Sequence, residues 1–205
     1  MLTNRVDPTG KIFATTARGQ WMGNRGCIHS RQQTIAKPFA LHAWITCRLA
    51  YKNQRLPLMS GHHNTQLFFY DEATALSAGH RPCAFCRREA FTLFKKYWLI
   101  GNPAAGLGAN TTIKPMDDYM HAERIGPSGE KKVYTSPLAS LPPGVFILQD
   151  EKPCLINIHA LLPWTPAGYS TPIQLPTTAL VTVLTPLSIV NTLRAGYLPQ
   201  MGRAD

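Results

Sequence analysis

The tightest constraint on this chain is the run Cys83-Ala84-Phe85-Cys86, two thiols two residues apart, with Pro82 before it and an amphipathic stretch after it. Cysteines at this spacing face one ion when the intervening chain turns tightly, and a following helix adds its N-terminal dipole in favour of thiolate. Redox pairs share the spacing, but they follow a strand of a βαβ unit. Here Asp71 is a good N-cap, Glu72 to Ala78 has helix-forming composition, and Gly79 suits the left-handed position that ends a helix. The pair thus follows a short helix and a glycine turn, which favours a structural metal site with Zn2+ as the ion.

Five cysteines, an odd number, fit metal ligation in a reducing compartment better than a disulfide framework. The first residues carry Arg5, Asp7 and Lys11 where a signal peptide needs an apolar stretch. The best apolar run, Ala179 to Val190, is short and interrupted by Thr182, Thr185 and Pro186. The expectation is a cytoplasmic protein with no membrane partner. Its net charge of +10 is unevenly placed: residues 1–100 hold 14 Lys and Arg against 4 Asp and Glu, whereas residues 101–205 hold 7 of each. A positive field confined to the half with the metal motif attracts polyanions, so nucleic acid is the expected partner, with DNA favoured.

Residues up to about Leu67 read as loops and short strands, with Leu41 to Cys47 the best strand. After Cys86, Phe91, Phe94 and Trp98 recur at helical spacing and point to core packing. Gly101 to Asn110 is glycine-rich and uncharged, which places a boundary there between a basic zinc-binding module (1–100) and a β-rich unit (111–205) packed against it, or within one compact domain. In the second half, Val145 to Leu148, Cys154 to Ile158 and Ala179 to Leu184 are β-type runs. Thr185 as N-cap and Pro186 at the first position open a closing helix that ends at Gly196. The fold class expected is α+β: a small zinc-stabilised module with short helices, joined to a small, mostly antiparallel sheet with a C-terminal helix.

A structural zinc takes four ligands. The stretch from Leu67 through Asp71, Gly79-His80-Arg81-Pro82 and Cys83 to Cys86 resembles the metal-binding domain of the Ada DNA-repair family, where the same features occur in this order. Ile45-Thr46-Cys47-Arg48 is similar to that family's first ligand segment. The resemblance covers about residues 45–88 and implies that Cys47, Cys83 and Cys86 bind zinc. It also implies that Cys47 is the sulfur that accepts a methyl group from methylated DNA phosphate. The chain departs from the family at Tyr51, where a second cysteine belongs. The fourth position then falls to Cys27, His29, His62, His63 or water, with His29 carried forward. A neutral imidazole in place of a thiolate leaves the site less negative and its sulfur less nucleophilic.

Arg18 and Arg25 lie among glycines beside Trp21, a composition that suits phosphate approach and base stacking as well as an anchored surface turn. Together with Arg48, Arg55, Arg81, Arg87 and Arg88 they form the pool of expected phosphate contacts. Asp117, His121 and Glu123 form the one other cluster with catalytic content. On a helix, Asp117 and His121 share a face, a carboxylate able to orient an imidazole for hydrolysis; the alternative is a solvated charged helix. Cys154 and His159 are read as structural. The leading expectation is a zinc-containing nucleic-acid-binding protein in DNA repair or modification, with a nuclease-type hydrolase or methyl-acceptor repair as alternatives.

Overall fold

The computed structural model describes residues 1–52, 57–158 and 160–202. Arg55 and His159 therefore lie outside the described residues. The fold is α+β, with two sheets and four α-helices, the last helix C-terminal. The first sheet collects β1 (Arg5–Val6), β2 (Ile12–Phe13), β3 (Trp21–Asn24), β4 (Ile45–Cys47), β5 (Leu67–Phe69) and β6 (Arg81–Pro82), in the order β2-β1-β5-β3-β4-β6. It is mixed, since β1 runs parallel to β5 and β4 parallel to β6. Between β5 and β6 lies α1 (Glu72–Ser77); after β6 come α2 (Arg88–Gly101) and α3 (Ile113–Arg124). The second sheet is antiparallel at each of its pairings. It holds β7 (Tyr134–Pro137), β8 (Phe146–Gln149), β9 (Lys152–Ile156), β10 (Leu161–Thr165), β11 (Gly168–Tyr169) and β12 (Leu180–Val183), and α4 (Leu187–Arg194) follows.

All six residues of α1 are buried, unusual for a helix that carries Glu72, Thr74 and Ser77. Its N-cap is Asp71, whose carboxylate accepts from the Thr74 amide at 2.8 Å and the Thr74 hydroxyl at 2.7 Å, satisfying a donor left over by the first turn. Small side chains let the helix sit among three apolar clusters. Ala75 and Ala78 pack with Val6, Ile28, Leu67 and Phe69, Ala73 packs with Phe146, Leu155 and Tyr169, and Leu76 enters the largest core. The helix ends at Gly79, with φ +86°; a side-chain carbon there would also lie 2.5 Å from Arg124 Cδ, so that position requires glycine on two counts.

Phe94 and Trp98 of α2 are buried together with Ile189, Val190 and Leu193 of α4, as the aromatic stripe predicts, whereas Phe91, the third ring of the stripe, is only half-buried and lies outside this core. A boundary between residues 100 and 111 would therefore cut through one core, because α2 packs against α4 and shares a cluster with the second sheet. The start of α4 differs from expectation. Pro186 holds the N-cap position, and the Thr185 hydroxyl instead accepts from the Phe146 amide at 2.9 Å. Glu123 of α3 satisfies the first turn of α4 by accepting from the Ser188 amide at 2.9 Å. None of the helices is long and apolar enough to cross a membrane among the described residues.

Candidate metal centre

The parallel pairing of β4 with β6 sets Ile45 opposite Arg81 and Thr46 opposite Pro82, and the Cys83 amide donates to the Thr46 carbonyl at 2.9 Å. Pro82 suits the last strand position because its nitrogen has no ladder bond to make. The next residue on each strand is a cysteine, so Cys47 and Cys83 arrive side by side. The turn Cys83-Ala84-Phe85-Cys86 then brings in the third thiol: the Arg87 amide donates to the Cys83 carbonyl at 3.1 Å and the Phe85 amide to Cys83 Sγ at 3.4 Å. Cys47, Cys83 and Cys86 end with their sulfurs within 4.8 Å of one another, a group of three that can hold a metal ion. Cys83 and Cys86 are buried, and Cys47 is half-buried.

The electrostatics suit a cation. The hydrogen bond from Cys47, with backbone amides of Cys86 and Phe85, draws the Cys83 thiol down to about 5. That same bond, then burial, drives Cys47 far up, and burial raises Cys86. One negative charge is thus shared by three sulfurs, and a bound dication would stabilise all three as thiolates.

His29 is not part of this group. Its Nδ1 bonds the Thr65 hydroxyl at 2.6 Å, so the expectation of His29 as a ligand is corrected. His62 and His63 are exposed and Cys27 is half-buried; none joins the three sulfurs. Tyr51 packs edge-on against Phe85, ring centroids 5.2 Å apart.

The arginines sort by burial. Arg81 is buried and bidentate to Asp117, at 2.7 and 2.8 Å. Arg87 is buried against Glu72 at 2.7 Å and Thr46 at 2.8 Å, with its guanidinium 3.8 Å above the Trp21 ring. Arg25 is buried against His80 and the Gly10 carbonyl. Arg81 and Arg87, each paired with a buried carboxylate, are removed from a general phosphate-contact pool. Arg18, Arg48 and Arg88 are exposed. Arg48 and Arg88 line a cleft of about 300 Å³ beside the cysteines, walled by Trp21, Tyr51 and Phe85, and Arg18 does not. Lys52, which sequence reasoning passed over, brings its ammonium 5.4 Å from the Phe85 ring and 5.6 Å from the Tyr51 ring. Its signal was the aromatic neighbour at position 51.

The acid-base set expected on α3 is not assembled. Asp117 is committed to Arg81 and Glu123 to the start of α4, so neither carboxylate orients His121. His121 instead stacks on His42, with centroids 3.9 Å apart and planes 14° apart, and its Nδ1 lies 3.0 Å from Arg124. Burial, then Arg124 and His42, lower its pKa to about 4, which leaves it a weak base. The carboxylate that does meet an imidazole is Asp118, at 2.7 Å from His42 Nδ1, on the exposed surface.

Fold and site together define an α+β protein with a three-cysteine centre at the start of a helix. No protein-family model matches the chain, and comparison with curated proteins and with solved structures returned no significant match.

Proposed function

We propose that the centre binds Zn2+ through Cys47, Cys83 and Cys86 and that the face around it binds nucleic acid, DNA above RNA, in repair or modification. One observation carries this reading: exposed Arg48 and Arg88 both line a cleft that reaches Cys86 and is walled by aromatic rings. Phe85, at the tip of the metal-binding turn, is 65% exposed. An aromatic ring held open beside guanidiniums is how a protein stacks on a base while pairing with the flanking phosphates. Thiolate ligands soft enough for zinc, with all five cysteines unpaired, support a reducing compartment such as the cytoplasm.

The test is the salt dependence of binding to single- and double-stranded oligonucleotides. Arg48→Ala and Arg88→Ala are each expected to reduce the slope of log affinity against log salt by about one. Arg18→Ala, outside the cleft, should reduce affinity less. Absence of measurable affinity for DNA and RNA at low salt would end the proposal.

A second reading is methyl acceptance at Cys47, which is half-buried as a residue where Cys83 and Cys86 are buried. Attack of the zinc-bound thiolate on a phosphate methyl ester would form the S–C bond, break the C–O bond and release the phosphodiester anion. Three protein thiolates on Zn2+ leave a net charge near −1, so the expected reaction is slow and stoichiometric. Incubation with methylated DNA should then add one methyl mass to the peptide containing Cys47; an unchanged peptide mass removes this reading and leaves the first intact.

A further inference from the structure

A second cavity, of about 430 Å³, opens at the other end of β4, where Trp44 precedes the strand. Its wall holds four cations, Lys11, Arg25, Arg124 and Lys131, and no carboxylate. Arg25 and Arg124 are 3% and 2% exposed, and among the described residues none of the four has an ion-pair partner. Asp7, whose charge is felt by Arg25 and Lys131 without an ion pair to either, already accepts the Thr9 and Lys11 amides and the Thr9 hydroxyl on one oxygen, and Asp117, felt by Arg124, is paired with Arg81.

The two guanidiniums lie on the Trp44 ring, 4.0 and 4.1 Å from its centroid, so the indole fixes them in place. Arg25 donates to Gly10 O at 3.0 Å and to neutral His80, and Arg124 donates to Gly79 O at 2.8 Å, with Arg124 Nε left unpartnered. The Lys131 ammonium donates to Ser77 O at 2.7 Å, which leaves two of its three protons. Every one of these partners is neutral. Buried charges of one sign, oriented but uncompensated, are costly, and proteins keep such arrangements where a ligand supplies the counter-charge. Burial lowers Arg25 to about 9 against the pull of Asp7; burial, then Arg25, lower Arg124 to about 9 and Lys131 to about 7.

We propose that this cavity is a binding site for a phosphate monoester, its dianionic head held by Arg25, Arg124 and Lys131 and its organic part against Ile12, Ile35 and Pro38. The volume suits a small organic phosphate. A dianionic head brings two charges to the cationic wall where a monoanion brings one, and guanidiniums pair with phosphate oxygens in a fork. The phosphate can belong to a free metabolite or to the end of a nucleic-acid strand. This site is separate from the zinc centre and stands or falls apart from it.

The experiment is calorimetric titration with inorganic phosphate at constant ionic strength, with chloride and succinate as controls. A parallel titration uses a short oligonucleotide with or without a 5′-phosphate. Lys131→Met is expected to weaken phosphate binding by ~10-fold or more, as loss of a charge-assisted contact does. The same variant should melt no lower than the parent without phosphate, because one of several repelling cations is gone. Lys11→Gln, at the exposed rim, should weaken binding with no effect on folding, and both variants should keep their metal content. Binding that requires the 5′-phosphate on an oligonucleotide assigns the ligand to a strand end; binding of free phosphate alone assigns it to a small molecule. No heat beyond the chloride control, an equal response to succinate, or unchanged affinity in both variants would overturn the proposal.

Discussion

Replacing Cys83 or Cys86 with serine is expected to abolish stoichiometric zinc and to cost several kcal/mol of folding stability. The turn that carries both sulfurs has little else to hold it. Phe85 points into solvent, Ala84 is exposed, and the bonds within the turn end on a sulfur or on the carbonyl of Cys83. Without the ion, burial of Cys86 works against its ionisation. The three apolar clusters remain, so the variant should lose part of its stability and not its whole fold. Metal content by elemental analysis, paired with denaturant midpoints, checks this. Parent protein purified without zinc, or a serine variant as stable as the parent, would refute the metal centre.

The second large effect is expected at Asp117. Its carboxylate and the Arg81 guanidinium are 5% and 4% exposed and joined by two parallel hydrogen bonds, so Asp117→Ala would strand a buried cation. Breaking one partner out of such a pair costs about 3–5 kcal/mol. The damage should also spread to the metal centre, because Arg81 pairs with Ile45 in the register that aligns Cys47 with Cys83. His121→Ala, which removes a half-buried ring from a stack, should cost far less. If Asp117 served catalysis and not structure, its alanine variant would retain the parent's melting temperature; a drop of several degrees with partial loss of zinc is the outcome expected here.

Local signals in the sequence carried over well into the structure. Asp71 caps α1, Gly79 ends it with positive φ, and the spacing of Phe94 and Trp98 put both rings in a core, because each depends on neighbours within one or two turns. Cys83 and Cys86 were legible from their spacing, and Cys47 through the resemblance of Ile45-Thr46-Cys47-Arg48 to the Ada family's first ligand segment. What could not be read was which charges are buried. Arg25, Arg81 and Arg87 look no different from Arg48 and Arg88 in sequence, yet their partners come from 15 to 55 positions away. The same holds for Asp117 and Glu123, whose spacing to His121 is right for a helix face but whose carboxylates are taken by Arg81 and the Ser188 amide. The anion cavity escaped notice because its cations, Lys11, Arg25, Arg124 and Lys131, are spread over both halves of the chain.

The burial of α1 also bears on the order in which a nascent chain can complete its structure. Glu72 accepts from Arg87 and Tyr197 at 2.7 Å and from the Gln200 amide at 3.0 Å, while Asp71 accepts from Tyr169 at 2.6 Å and the Gly202 amide at 2.8 Å. Residue 200 is synthesised 128 positions after Glu72, so at about 5–20 residues per second the helix waits roughly 6–25 s for it. During that interval the metal-binding turn, whose ligands all lie by residue 86, is already free to fill. A chain stalled between Cys86 and Tyr197 thus carries all three cysteines of the centre while Glu72 and Asp71 still lack their C-terminal partners.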